Sequence, residues 1–207
     1  MESFVIDKNG SYWLGEEYYP SIIKLDKDLK VVKRFAPISS PIKNPKITYN
    51  LPEEFNHIMK NRGFESMTYD GREHIYVFTQ SDLENKKDIK VIKFNINTEK
   101  VDEILKYKFS ERNIMSAATY VDDNNFYIAE KLYNKHFLDK ITLKNDIYKR
   151  TSILRLLSQK DKIKGNIKIE GLAMDDKNNL YIINDNDFGI DDKNVKNSFI
   201  MKFHKKK

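Results

Sequence analysis

The sequence contains no cysteine. That excludes a disulfide framework and a thiolate metal site, and it leaves the compartment open. No apolar run approaches the ~18 residues of a membrane-spanning helix, so no membrane partner is expected. The first residues, Met-Glu-Ser-Phe-Val-Ile-Asp, lack the basic-then-apolar order of a signal peptide. As written, the chain is expected in the cytoplasm. A Gly-x-Ser-x-Gly elbow is missing too, and the four histidines (His57, His74, His136 and His204) lie outside any nucleophile pattern, which argues against a serine-triad esterase. Arginine clusters interleaved with aromatics are likewise absent. The net charge of +6, from 37 basic and 31 acidic residues, is spread along the chain, and the only dense run is Lys205-Lys206-Lys207. This is a solvated lysine-rich surface rather than a nucleic-acid footprint.

What is present is globular material. With 207 residues, 40% hydrophobic and 12% aromatic, the chain can form one domain, 1–207, with a sizeable core. Its clearest local signal is Lys168 to Gly189. Ile169 to Met174 and Leu180 to Ile183 are short apolar strands joined by a turn at Asp175 to Asn179, the pattern of a β-hairpin. The start of the first strand and the end of the second lie at one end of an antiparallel pair. Glu170 and the cluster Asn184 to Asp187 are therefore expected on one side, away from the turn.

The hairpin recurs around Asp7-Lys-Asn-Gly, around Asp70-Gly71 and around Asp122 to Asn125. The equivalent opening residues are Glu2, Glu65, Ser116 and Glu170, separated by 63, 51 and 54 positions. Further strand-like runs follow each copy: Ser21 to Leu25 and Leu29 to Phe35, Ile89 to Ile96 and Val101 to Phe109, Phe137 to Leu143, and Ser198 to Phe203. A four-strand unit repeated every ~40–50 residues marks a β-propeller blade. The expected fold is all-β, a β-propeller with about four blades present, partial or small, and the repeat argues against a β-sandwich. One short helical insertion is expected after Pro52, where Glu53 and Glu54 lie in the first turn and Phe55, Ile58 and Met59 are apolar. Ser152 to Ser158 reads equally as helix or outer strand. Four blades are few for a closed propeller, so the chain is expected to be the C-terminal portion of a longer propeller, or to be completed by a second chain.

The order Glu16-Glu17-Tyr18-Tyr19-Pro20, then Arg62-Gly63-Phe64-Glu65, then Glu130-Lys131, then Ile169-Glu-Gly-Leu-Ala with Asn184-Asp-Asn-Asp-Phe resembles the phytase-like "esterase-like activity" family, a bacterial β-propeller group that is commonly exported to the periplasm or beyond. The resemblance runs over essentially the whole chain. It implies a propeller hydrolase of phosphate or carboxylic esters, with Ca2+ held by acidic residues. Three positions depart from the family pattern: Glu2-Ser3 and Glu65-Ser66 replace Glu-Gly, and Glu130-Lys131 replaces Glu-Arg. Lysine does not reproduce the bidentate fork of arginine toward a phosphate.

In a propeller the first strand of each blade lines the central channel. Glu2, Glu65 and Glu170 are then expected at one mouth, with Glu17, Asp82, Glu130, Asp185 and Asp187 on adjacent loops. Converging oxygens of this kind suit Ca2+, which polarises a phosphoryl or acyl oxygen and activates water. The expected metal ligands are Glu2, Glu17, Glu170, Asp185 and Asp187, and the expected catalytic residues are Glu65, Glu130 and Glu170. Arg62, Lys131 and Tyr18 are assigned to a small anionic or ester substrate. Each residue also has a structural role open to it. A glutamate can fix strand register, Asp185 to Asp187 can cap backbone N–H groups, Arg62 can pair with a neighbouring glutamate, and Tyr18 and Trp13 can pack. A non-catalytic binding module is therefore the competing reading.

Overall fold

The computed structural model describes residues 1–58, 61–81, 88–108, 114–132, 135–144, 147–154, 168–185, 198 and 200–203. The chain divides into two compact units, Met1–Phe109 and Ser110–Lys207. In the first unit, β1 (Ser3–Ile6), β2 (Tyr12–Glu16), β3 (Ser21–Leu25) and β4 (Val31–Pro37) form an antiparallel meander. A second meander contains β6 (Phe64–Tyr69), β7 (His74–Thr79), β8 (Asp88–Asn95) and β9 (Lys100–Lys108). Between them, β5 (Ile47–Leu51) adds to the outer edge of β4 in parallel, an extra strand that the sequence reading did not contain. The second unit holds β10 (Ile114–Asp122), β11 (Asn125–Leu132), β12 (Lys135–Lys144) and β13 (Ile147–Leu154), then β14 (Lys168–Met174), β15 (Leu180–Asp185) and β16 (Ile200–Phe203). These are the blade-like sheets expected from the repeat. The undecided stretch from Ser152 is strand as far as Leu154.

Aspartates set the turns of the leading hairpins. Asp7 Oδ1 accepts the N–H groups of Asn9 and Ser11, and Asp70 Oδ1 accepts those of Arg72, Glu73 and His74. Asp175 Oδ1 does the same for Lys177 and Asn179, while its Oδ2 accepts from the Asn179 side chain at 2.8 Å and from the Tyr181 hydroxyl at 3.0 Å. A short carboxylate that gathers backbone donors fixes a turn that would otherwise leave them unpaired. These bonds, led by the Asn179 side chain, lower the Asp175 carboxyl from its ordinary 3.8 to about 2. A depressed carboxyl stabilises the fold fully above its unfolded value, and that contribution is lost as pH falls through the folded one. Asp175→Asn is expected to flatten the acid limb of a thermal-melting series between 3.8 and about 2. A limb as steep as that of the wild type would contradict this assignment.

Three of the four opening residues of the repeat share a backbone irregularity. In the second sheet Phe64 pairs with Thr79 and Ser66 with Phe78, which leaves Glu65 as the extra residue of a bulge. Ser116 is the extra residue between Met115 and Ala117, and Glu170 between Ile169 and Gly171. At the start of β1 the Glu2 N–H reaches the Gly15 carbonyl at 3.2 Å, although Ser3 is the residue paired with Gly15. A bulge re-aims the inserted side chain and is frequent beside active sites. The repeat seen in the sequence is thus a repeat of backbone geometry.

In the first unit, Trp13, Ile22 and Phe35 from the first sheet pack against Phe64, Ile75, Val77 and Phe94 from the second. In the second unit, Ala117, Ala129 and Leu138 meet Ile169, Leu180 and Ile182. The segment after Pro52, expected as a short helix, is a single 3-10 turn, Glu53–His57. Pro52 and the two acids supply the starting signal, but no side chain caps the turn and Ile58 is already extended at φ −67°, ψ 132°. Phe55 is its buried anchor, edge-on to Phe64 at 5.6 Å. Met59 lies outside the described residues.

Candidate functional site

The loop after β2 carries two adjacent glutamates with different surroundings. Glu16 turns back on its own loop and accepts the N–H of Tyr19 at 2.7 Å and of Tyr18 at 3.4 Å. Tyr18 itself is 51% exposed. Glu17, by contrast, is only 4% exposed. Its backbone explains why. Gly63 donates its N–H to the Glu17 carbonyl at 3.2 Å, and Gln80 donates to the Gly63 carbonyl at 3.0 Å. A Cβ on residue 63 would overlap the Glu17 carbonyl and press on Pro20. Only glycine lets the loop sit this close to the start of β6.

Glu65, the bulged residue, is 8% exposed and accepts from Gln80 Nε2 at 2.9 Å. Gln80 Oε1 in turn accepts from Arg62 Nη1 at 2.5 Å. Arg62 therefore bonds a neutral amide, and among the described residues it forms no ion pair. Burial is the largest influence on Glu17 and pushes its carboxyl above the usual range. Glu2 pushes in the same direction, against the opposing pull of Arg62 and the Glu65 side chain. Glu17 Oε1 is buried with no hydrogen-bond partner. Glu2 is exposed and lies 3.6 Å from the amino group of Met1. Gln80 was not singled out from the sequence, and Gly63 entered only as part of the Arg62-Gly63-Phe64-Glu65 motif. Residue 80 follows Thr79, which pairs with Phe64, so hairpin register was the signal that could have found them.

The second unit gathers its acids around a lysine. Lys168 faces Asp185 across the β14–β15 ladder. Its Nζ lies 3.0 Å from Asp185 Oδ2 and 3.5 Å from Glu170 Oε1. Burial raises the Glu170 carboxyl and Lys168 opposes it, while Asp185 raises it further and Lys131 lowers it. Glu130 is fully buried opposite Met115, and Lys131 is half-buried beside it. Asp82 and Asp187 lie outside the described residues.

These arrangements bear on a Ca2+ ion, which takes six to eight oxygen ligands. No three His, Asp or Glu side chains among the described residues could hold a metal ion together. The Lys168 ammonium already pairs with both Glu170 and Asp185, and the unpartnered oxygen of Glu17 is buried. Among the described residues, no helix is long and apolar enough to cross a membrane.

Solved structures share the architecture. The β-propeller domain of Cps50 (Swd1) from Myceliophteria thermophila matches with a TM-score of 0.51 at 11% identity, over 88% of this chain and 48% of that one. A luciferin-regenerating enzyme matches at 0.52 and 13%, over 98% and 60%. A GH43 β-1,3-galactosidase matches at 0.51 and 10%, over 97% and 70%. The chain thus spans 48% and 60% of the first two structures. At such identities the likeness is one of fold, and the fold is a β-propeller. No curated protein matches the sequence. The profile of the Phytase-like family, described as esterase-like activity of phytase, matches residues 1–188. The chain belongs to the Phytase-like family.

Proposed function

We propose that the chain hydrolyses small phosphate or carboxylic esters at Glu65. The observation that carries this reading is the Arg62–Gln80–Glu65 chain of hydrogen bonds. A guanidinium fixed by a neutral amide keeps its charge for an anionic substrate. Beside it, a carboxylate on a bulge is placed to take a proton from an attacking water. Membership of the family supports the reaction class. Arg62 orients the substrate's phosphate or carboxylate, Gln80 positions both Arg62 and Glu65, and Glu65 acts as base.

Metal assistance is the finer form of this proposal. It would have Ca2+ polarise the scissile oxygen, and here it requires ligands beyond the acids that Lys168 already pairs. The test uses a panel of p-nitrophenyl phosphate and short-acyl p-nitrophenyl esters, each with Ca2+ and with chelator. Turnover above buffer is expected, and Arg62→Ala is expected to raise KM for anionic substrates about tenfold or more, as loss of one charge-assisted bond of ~1.5–3 kcal/mol implies. A Ca2+-dependent rise in both rate and melting temperature, abolished in Glu170→Gln, would establish the metal-assisted form. Failure of every substrate under both conditions would favour the alternative, a non-catalytic binding module. One observation already supports that alternative: in the second unit Glu170 and Asp185 are neutralised by Lys168 from within.

A further inference from the structure

We propose that two copies of this chain pair head to tail, the first sheet of each seated on the last sheet of the other. The inference rests on the register of the repeat and is independent of what the protein hydrolyses. Two residues after the opening position stand Phe4 in the first sheet, Met67 in the second and Leu172 in the last. Their partners across the ladder are Leu14, Val77 and Ile182. Residues directly opposite in an antiparallel pair share a face. In the second sheet that face is buried, with Met67 and Val77 in one core with Trp13 and Ile22 of the first. In the last sheet, Leu172 and Ile182 pack with Ala117 and Ala129 of the sheet before it. In the first sheet the same face is exposed. Phe4 is 64% exposed and Ile6 50%, Leu14 and Tyr12 are half-buried opposite them, and Val31 is exposed in the row of Ile6. A contiguous apolar face of this kind marks an interaction surface.

The opposite face of each sheet repeats as well, and it identifies the occupant. In the first sheet the row Gly15–Ile22–Phe35 brings Ile22 and Phe35 into the core shared with the second. In the third, the row Ala117–Ala129–Leu138 packs against the last. The matching row of the last sheet is Gly171–Ile183–Ile200. There Ile200 is 67% exposed and Ile183 42%, although Ile22 and Leu138, at the position of Ile200, are buried. The adjoining row carries the same likeness. Lys202 lies over the Tyr181 ring and Asp175 accepts from the Tyr181 hydroxyl, as Lys24 lies over Trp13 and Asp7 accepts from Trp13 Nε1. The last sheet thus presents the face that elsewhere receives a following sheet, and the first presents the face that elsewhere sits on a preceding one. Gly171 and Ala173 on β14 leave room for the large Phe4 and Ile6 on β1. Both faces are exposed in the single chain. Length favours a second copy as the partner, since the chain spans 48% and 60% of the first two propeller structures it matches. Two such contacts related by a two-fold axis close without leaving either face open.

Sedimentation velocity of the full chain over a wide concentration range tests the pairing. A species of twice the 24.5 kDa chain mass is expected. Phe4→Glu and Ile200→Glu should each abolish it, because a charge buried in either apolar face would lack a partner. Both side chains are exposed in the single chain, so they contribute to association rather than to its fold, and far-UV circular dichroism should be unchanged in both variants. An equimolar mixture of the two variants should regain a two-chain species at high concentration. In it the last sheet of the Phe4→Glu chain and the first sheet of the Ile200→Glu chain are both intact. A monomer at every concentration, growth beyond two chains, or a dimer untouched by either substitution would overturn the proposal. A mixture that stays monomeric would overturn the pairing of first sheet with last.

Discussion

Replacing Phe94 by alanine is expected to destabilise the first unit by about 3–5 kcal/mol. Phe94 lies on β8 and is fully buried. Its ring centroid is 4.9 Å from that of Phe35 and 5.9 Å from that of Trp13, both tilted at 59°. Those two residues belong to the first sheet and stack on each other at 6.1 Å, so the Phe94 ring is what the second sheet packs against that pair. Its removal leaves a cavity that rigid strands on both sides cannot close, and it forfeits aromatic pairings worth ~0.5–1.5 kcal/mol each. The cluster is closed over by Lys24 above Trp13 and Lys33 above Phe35, both pairing with Glu99 at 3.2 and 2.6 Å. In urea the midpoint should fall with little change in slope. Phe4, 64% exposed on β1, is the control, and its replacement by alanine should cost no more than ~0.5 kcal/mol. Equal effects of the two changes would show that the sheets do not meet at Phe94.

Glu65→Gln is expected to lower turnover of a responsive ester by about 10²–10⁴-fold, the usual contribution of a placed acid–base group. The substitution keeps the shape of the side chain and removes the charge that accepts the water proton. It also sets an amide against the Gln80 donor. Because Arg62 still meets Gln80, binding should weaken much less than turnover. The signature is therefore a drop in kcat with KM nearly unchanged. A rise in KM alone would make Glu65 a binding group and move the base elsewhere.

Much of this fold was legible in the residues. Apolar runs separated by Asp-led turns marked the hairpins, because those aspartates bind the very N–H groups that the turns expose. The spacing of Glu2, Glu65, Ser116 and Glu170 marked the blades, and the last three sit at matching bulges. Strand β5 was not legible, since a parallel edge strand depends on a distant partner rather than on local pattern. The site was legible in its parts and not in its pairings. Glu16 and Glu17 look equivalent in the sequence, and a bond from Gly63 decides which one is buried. Acids at the open end of the last hairpin suggested a cation site. The lysine directly across the ladder from Asp185, which pairs with it, was not read from the sequence.

The function proposed for this propeller gives Glu65 an acid–base role. Its most direct test is the steady-state hydrolysis of p-nitrophenyl phosphate and p-nitrophenyl acetate by the full chain, wild type against Glu65→Gln, across pH. Wild-type turnover above buffer is expected, collapsing in the variant at unchanged KM. Turnover equal to buffer for both proteins, or equal rates in the two, would contradict it.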